Sequence, residues 1–512
     1  MLCLPEVPCR LNEVRVADYL APLFEDRAVT FYQNVLSLPP GHSLTVSEKK
    51  TRLRTYWSLD PSSELRLSSN EEYAEAFREL FFKAVNCRLR SAFPVGSMLS
   101  GGLDSSSIVC TALQLLRGTE SHPLHTFSAI FPDMPTEKLS RIDERYYMNA
   151  VLGLPGLEPH FVYGDQLSPL ADVDWLLEIE DEPLVAPNLF LSLGLYRAAH
   201  QEGVRVLLDG FGGDSTVSHG FAYLAELGHA GHWAVLISEI NALARQKNAS
   251  PKNYLRRYGL PHLAEFARKG KWIAFSRGVN EFHKHFALSI WRLGLNYGVK
   301  PIVPQLLRQA WRRLNSRSQA VPEPRFTIID RHFARRVAFD NRRQTLERGR
   351  SSPPQTAREA HYLELTSGVF PLVLAETNKA SAALDIEPRY PFSDKRLLEF
   401  CLALPPDQKL HQGWSRIVLR RALANILPTD IQWRKGKADL SPNFDRGLLN
   451  TDRKFLDGVI LNGPMDAKAY LDVDALCEAY TQLGVREGGE AELIIWKIVV
   501  LDTWLRRTEL EV

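Results

Sequence analysis

The chain has 512 residues, and its 62 Lys+Arg stand against 60 Asp+Glu with 45% hydrophobic residues, so composition excludes a disordered, collagenous or acid-tailed protein and global charge names no partner. At ~150 residues per domain, this length predicts two to four domains, or one large α/β domain with insertions. Cys3, Cys9, Cys87, Cys110, Cys401 and Cys477 form no CxxC pair and no zinc spacing, and the opening MLCLPEVPCRLNEV lacks the apolar run of a signal peptide, so a reduced, cytoplasmic protein is expected.

Residues 28–58 read as short extended runs, AVTFYQNVLSL, PPGHSLTV and TRLRTYWSL, which predicts a β-rich unit over residues 1–65. The polar DPSSELRLSSN is a linker whose Ser and Asn can cap the helix EEYAEAFRELFFKAVNCRLR, and a second domain runs from residue 69 to 512. There strands alternate with helices. FPVGSMLS, HTFSAIF, HFVYG and VRVLLD are apolar runs separated by the helical stretches SSSIVCTALQLL, ERYYMNAVL and FLSLGLYRAAHQEG, the pattern of a doubly wound parallel α/β sheet. Two of these strands empty into glycine-rich turns, SGGLDSS and GFGGDS, and open parallel sheets bind ligands at such carboxyl ends.

A helical insertion is expected over residues 220–360. Within it, residues 251–350 carry 22 Lys/Arg against 6 Asp/Glu, a net +16. That charge reads first as a solvated helical face, and otherwise as a surface for a peptide or partner protein; nucleic acid is not favoured. The apolar run Leu493 to Leu501 is broken by Lys497 and far shorter than the ~20 residues of a membrane span, so it reads as a buried helix and no membrane partner is expected.

The chemistry concentrates in the two turns. Ser100, Gly101, Gly102, Leu103, Asp104, Ser105 and Ser106 lie between an apolar strand and a helix, where backbone amides and the helix N-terminus cradle phosphate. No lysine occupies this turn as GxxxxGK[ST] demands, which disfavours transfer of a γ-phosphate. Gly210, Gly212 and Gly213 form the second turn, and Asp104 with Asp214 offers hard oxygen ligands suited to Mg²⁺ beside phosphates. Either aspartate alone is equally a helix N-cap; the pair favours a metal.

These pieces, with YW before the linker, NKASAALDIEPRYPFSDKRLLEF, WSRIVLRRAL followed by LPTDI, WRKGKADLSPNF and ELIIWKIVVLDTWLRR, appear in the order found in the asparagine synthetase B family, and residues 30–510 resemble that family of ATP-pyrophosphatase (PP-loop) enzymes. The resemblance implies an α/β fold of the adenine nucleotide alpha hydrolase type with C-terminal helices. It implies ATP and Mg²⁺ as cofactors, attack of a carboxylate on the α-phosphorus, loss of pyrophosphate, and amide formation with release of AMP. It also implies that a lysine of the WRKGKADLS loop, Lys435 or Lys437, faces the α-phosphate, and makes Arg389 a candidate for holding a carboxylate. A plain ion pair of Arg389 with Glu387 or Asp394 is the other reading.

Three features depart from that family. A glutaminase nucleophile would be a cysteine exposed as residue 1, whereas Leu2 precedes Cys3, so residues 1–65 read as the last strands of such a domain and no glutamine hydrolysis is expected. Phe211 stands where the family's SGEG has Glu, and Ala375, with Glu376 beside it, where the family has Asp before NKA. Loss of these carboxylates predicts an amine other than free ammonia, as in the family's lasso-peptide macrolactam cyclases and β-lactam synthetases, unless Glu376 swings in to serve. The expected substrate is a small-molecule or peptide carboxylate; a catalytically idle nucleotide-binding scaffold is the remaining alternative.

Overall fold

The computed structural model describes residues 7, 9–118, 123–303, 328–348, 353–485 and 489–508. Cys3 and the parts of the basic stretch at 304–327 and 349–350 lie outside the described residues.

An antiparallel hairpin, β1 (His42–Ser47) and β2 (Lys50–Thr55), precedes the linker and is exposed along almost its whole length. The linker ends at Ser69, whose hydroxyl accepts the Glu72 N–H (3.1 Å) and so caps the helix Asn70–Asn86. Five parallel strands follow: β3 (Val95–Met98), β4 (Leu124–Ile130), β5 (Leu157–Tyr163), β6 (Val206–Leu208) and β7 (Glu387–Arg389). Their order across the sheet is β5-β4-β3-β6-β7, so the chain winds outward from β3 in both directions. The reversal falls between β3 and β6, where a crevice opens at the carboxyl ends of the strands.

Both faces of the sheet are covered, which is why its strands are apolar without strict alternation. Phe77, Phe81, Ile108, Val109 and Leu208 pack one face through the helices Asn70–Asn86 and Leu103–Leu116. On the other face Phe127, Leu207 and Ile386 meet Leu195, Tyr196 and Ala199 of the helix Leu189–Gln201. The fold is therefore a doubly wound α/β sheet, as the alternation of strands and helices predicts. β7 lies within the stretch EPRYPF, too short a run for periodicity to reveal as a strand.

Of the predicted insertion, the helices over residues 222–293 pack around a core in which Trp233, Leu236, Ile240, Leu263 and Phe282 are buried together with Leu410, whereas Phe333 and Phe339 join the core of Trp496 and Trp504. Several arginines of the insertion answer acids elsewhere in the chain: Arg342 binds Asp18 (2.6 Å) and Asp26 (3.2 Å), and Arg336 binds Glu13 (2.6 Å). Residues Glu13–Leu20, placed by sequence in a β-rich unit, form a helix whose Val16 and Tyr19 share a core with Phe31, Trp496 and Trp504. That helix thus packs on the carboxyl-terminal helix Glu490–Arg507, which buries Ile495 and Ile498–Leu501. No described helix is long and apolar enough to cross a membrane.

Candidate active site

The first glycine turn joins β3 to the helix Leu103–Leu116. Gly101 has φ +73°, and a Cβ there would lie 2.9 Å from Met148 N and from Tyr147 Cβ, so a side chain is excluded on both grounds. The turn is tied to itself: the Gly102 N–H donates to Ser100 Oγ (3.2 Å), the Ser100 N–H donates to Ser105 Oγ (3.2 Å), and the two hydroxyls lie 3.0 Å apart. Gly102 is the N-cap and brings no side chain to the first helical amides, which leaves them to an anion.

The second turn follows β6 and touches the first through atoms its glycines lack. A Cβ on Gly213 would fall 2.6 Å from Asp104 Cγ, and one on Gly210 3.0 Å from Ser105 N. This close approach brings Asp104 and Asp214 together. Between them lies the buried guanidinium of Arg416, whose Nη1 is 2.7 Å from both Asp104 oxygens and 2.5 Å from Asp214 Oδ1. Lys437 Nζ reaches Asp214 Oδ2 at 2.5 Å, and His219 Nε2 stands 3.4 Å from Asp214 Oδ1.

Electrostatics divides the pair. Burial raises the Asp104 carboxyl and the Asp214 charge adds to that rise, against the pull of Arg416. Burial acts upward on Asp214 too, but Arg416 and Lys437 outweigh it and hold its carboxyl at about 2. Burial, and after it Arg416, lowers His219 to about 4, so its ring is neutral at pH 7. Asp104 and Asp214 thus converge on one point, which the Arg416 guanidinium holds; two carboxylates so placed would suit Mg²⁺ only with Arg416 displaced from them.

A buried polar frame delivers Lys437. Arg434 donates to the Gly101 carbonyl (2.7 Å), pairs with Glu144 and lies 4.1 Å over the Tyr147 ring. Glu144 also accepts the Ala438 N–H (2.8 Å), and Arg420 donates to the carbonyls of Gln432 (2.5 Å) and Arg434 (3.2 Å). The glycine turn and the lysine loop are thereby fixed to one another.

These elements line a cavity of about 670 Å³ whose walls combine cationic and apolar side chains. Lys247, Arg416, Arg420, Arg434, Lys435 and Lys437 gather around the turns; Leu195, Phe211, Val369, Val373, Thr377 and Tyr390 form an apolar and aromatic region. Asp209, at the end of β6, also lines it. Its Oδ1 accepts the Phe211 N–H (2.8 Å), burial raises its carboxyl to about 6, and among the described residues no Lys, Arg or His forms an ion pair with it.

The sequence model of the family described as Asparagine synthase matches residues 76–506. The chain belongs to that family. Its relatives include Amidase chry2 of Gibberella zeae, 25% identical over 461 residues, and Amidase chyE of Penicillium rubens, 26% identical over 462, each match covering 86% of this chain and 61% of the relative. Asparagine synthetase (glutamine-hydrolyzing) 3 of Bacillus subtilis is 22% identical over 471 residues, covering 90% of this chain and 64% of that protein. The chain thus spans about three fifths of the length of these curated relatives.

Among the residues predicted for this asparagine synthase family site, Ser100, Gly102, Leu103, Asp104, Ser105 and Gly210 line the cavity, while Gly101, Ser106, Gly212 and Gly213 stand behind it and shape the turns. Both candidate lysines are present. Lys437 binds Asp214, whereas Lys435 lines the cavity and its carbonyl accepts from Lys247 Nζ (2.6 Å). Arg389 is not brought to the turns: it holds Glu387 (2.8 and 2.9 Å) and the carbonyls of Arg88 (2.8 Å) and Arg90 (2.6 Å), the plain ion pair that was its other reading. Glu376 is buried and accepts the N–H groups of Val185 and Ala186 (2.9 Å each), bracing the cavity wall from behind instead of swinging in. Ala375 is exposed, because Val369, Val373 and Thr377 take the cavity-facing stripe of that helix at four-residue spacing. Sequence reasoning missed Arg416, Asp209, His219 and the Arg434–Glu144 pair. The motifs WSRIVLRRAL and LLDGFGGDS contain the first two, but only folding shows where they point.

Proposed function

We propose that this chain is an ATP-dependent amide ligase that adenylates a carboxylate and passes the acyl group to an amine. The observation that carries this reading is one cavity beside two glycine turns, lined both by a cationic set of side chains and by an apolar and aromatic set, with Asp209 among the lining residues. The turn amides and cationic side chains suit the triphosphate. The substrate carboxylate attacks the α-phosphorus as the bond to the pyrophosphate oxygen breaks, and Lys437 with Arg416 stabilises the negative charge that spreads over the phosphoryl oxygens and the leaving group. With Arg416 turned to the phosphates, Asp104 and Asp214 would hold a Mg²⁺ ion, which would further neutralise phosphate charge. The amine then attacks the acyl carbon, AMP leaves, and Asp209 accepts the proton released by the nitrogen; a carboxyl raised to about 6 is ionised at pH 7 yet more basic than an ordinary aspartate.

The aromatic wall supports a second, finer reading. Phe211 lies 5.1 Å from Phe370 and 6.1 Å from Tyr390 between ring centroids, a surface suited to an apolar side chain rather than to a small zwitterion. Peptide cyclisation, in which a tethered amine gains effective concentration, fits that wall better than synthesis of asparagine from aspartate and ammonia. The basic insertion offers such a peptide an electrostatic approach surface.

The deciding assay measures ATP–pyrophosphate exchange in the presence of aspartate, other amino acids and peptides, with product nucleotides resolved by chromatography. Carboxylate-dependent exchange, formation of AMP and loss of both in Asp104→Ala are expected. Formation of ADP in place of AMP, or undiminished exchange in a folded Asp104→Ala protein, overturns the reading. Formation of asparagine at millimolar ammonia removes the peptide reading alone.

A further inference from the structure

His125, the second residue of β4, and Glu158 and His160, the second and the middle residue of β5, lie short of the carboxyl ends that carry the cavity. The parallel register sets His125 opposite Glu158 and Phe127 opposite His160, and with a two-residue side-chain period all four point to one face. His125 Nδ1 is 3.0 Å from His160 Nε2 and 3.7 Å from Glu158 Oε2, and the three donor atoms lie within 4.8 Å of one another. Behind the His160 ring, its Nδ1 stands 3.5 Å from Glu202 Oε1 at the end of the helix Leu189–Gln201. The ring is stacked on Phe127 at 4.8 Å and 15°.

We propose that His125, His160 and Glu158 bind a zinc-class divalent ion that clips β4 to β5. Two imidazoles and one carboxylate are a borderline donor set, which selects Zn²⁺ over a hard ion such as Mg²⁺. With bonds of about 2.0–2.1 Å, tetrahedral zinc needs donors roughly 3.3–3.4 Å apart, between the present separations. Glu158 is half-exposed, so solvent reaches the cluster from its side. Glu202 Oε1, 3.5 Å from His160 Nδ1, favours the tautomer that keeps the proton on Nδ1 and leaves Nε2 to face His125; a carboxylate behind a ligating imidazole is the usual support of such a ligand. When zinc binds, two metal–nitrogen bonds replace the His125–His160 hydrogen bond, and binding is coupled to loss of its proton from the ligating nitrogen. A second cluster, His229, His262 and Glu265, differs because Lys269 Nζ already holds Glu265 at 2.6 Å. A cation in place competes with a metal there, so this cluster serves as an internal control.

The test titrates the chelator-stripped full-length chain with ZnCl₂ by calorimetry, in MgCl₂ sufficient to saturate hard-oxygen sites. One equivalent of zinc binds, His160→Ala lowers the affinity at least about 100-fold, Glu202→Gln lowers it about 10–100-fold, and His262→Ala leaves it unchanged. Glu158→Gln, at a half-exposed side chain, provides a ligand variant free of core damage, and an anomalous zinc peak between His125 Nδ1 and His160 Nε2 locates the ion. No saturable binding below about 100 μM zinc, or a zinc affinity unaltered in both His160→Ala and Glu158→Gln, overturns the proposal. Neither result bears on the ligase reading, because ATP–pyrophosphate exchange is measured with zinc absent.

Discussion

Asp209 is the group whose replacement should separate function from stability most cleanly. Its folded carboxyl titrates at about 6 against 3.8 for an ordinary aspartate, and burial is the cause, opposed only by the Phe211 N–H. The gap is about two pH units, which at ~1.4 kcal/mol per unit corresponds to roughly 3 kcal/mol. The sign follows from proton uptake. Between pH 3.8 and about 6 the folded state holds a proton that the unfolded chain has lost, so this contribution to stability is full below 3.8 and gone once the pH rises through about 6. Asp209→Asn keeps an oxygen for the Phe211 N–H and has no charge to bury. The variant should therefore exceed the parent in stability by up to about 3 kcal/mol at pH 7.5 and by little at pH 4. At the same time amide formation should fall about 100- to 10,000-fold while ATP–pyrophosphate exchange persists, because the carboxylate takes a proton only in the second half-reaction. The parent's amide-forming rate should rise with pH through about 6. Denaturant unfolding of both proteins across pH 4–8, with exchange and amide formation followed separately, provides the check. A variant less stable than the parent at pH 7.5, or a stability difference that does not change with pH, refutes the reasoning.

Lys437→Ala removes a side chain that is 71% exposed, so stability should change by less than about 0.5 kcal/mol, whereas pyrophosphate release should slow about 100- to 1,000-fold; equal activity would remove Lys437 from the proposed chemistry. Gly101→Ala forces a Cβ to 2.9 Å from Met148 N in a left-handed backbone, which should cost about 1–2 kcal/mol for the backbone alone and weaken ATP binding, measured by thermal unfolding and nucleotide titration. Arg434→Met leaves Glu144 buried without its cation and should destabilise the chain by about 3–5 kcal/mol; the double variant Arg434→Met with Glu144→Gln should recover part of that loss, and simple additivity of the two changes would argue against a coupled pair.

The alternation of four strands with helices from residue 69 onward, the two glycine turns and the family are legible in the amino-acid sequence, because each is written in neighbouring residues. Alternating apolar runs at strand and helix lengths specify a doubly wound sheet, and a turn that must pass 2.9 Å from Tyr147 Cβ admits only glycine at 101, so its signal is local even though its cause is distant. β7 and the helix Glu13–Leu20 were not legible, since a three-residue strand has no measurable period and the helix is held by Trp496 and Trp504 from the other end of the chain. The site divides in the same way. Asp104, Asp214, Lys435 and Lys437 are visible as motif residues, yet only tertiary structure shows that Lys437 meets Asp214, that Arg416 bridges both aspartates, that Arg389 is bonded to backbone carbonyls away from the turns, that Glu376 braces the cavity wall through the Val185 and Ala186 amides, and that Asp209 stands in the cavity. Side-chain direction at the end of a strand and the partner found across 312 residues, as for Arg416 and Asp104, are set by packing of elements remote in sequence, and no local pattern encodes them.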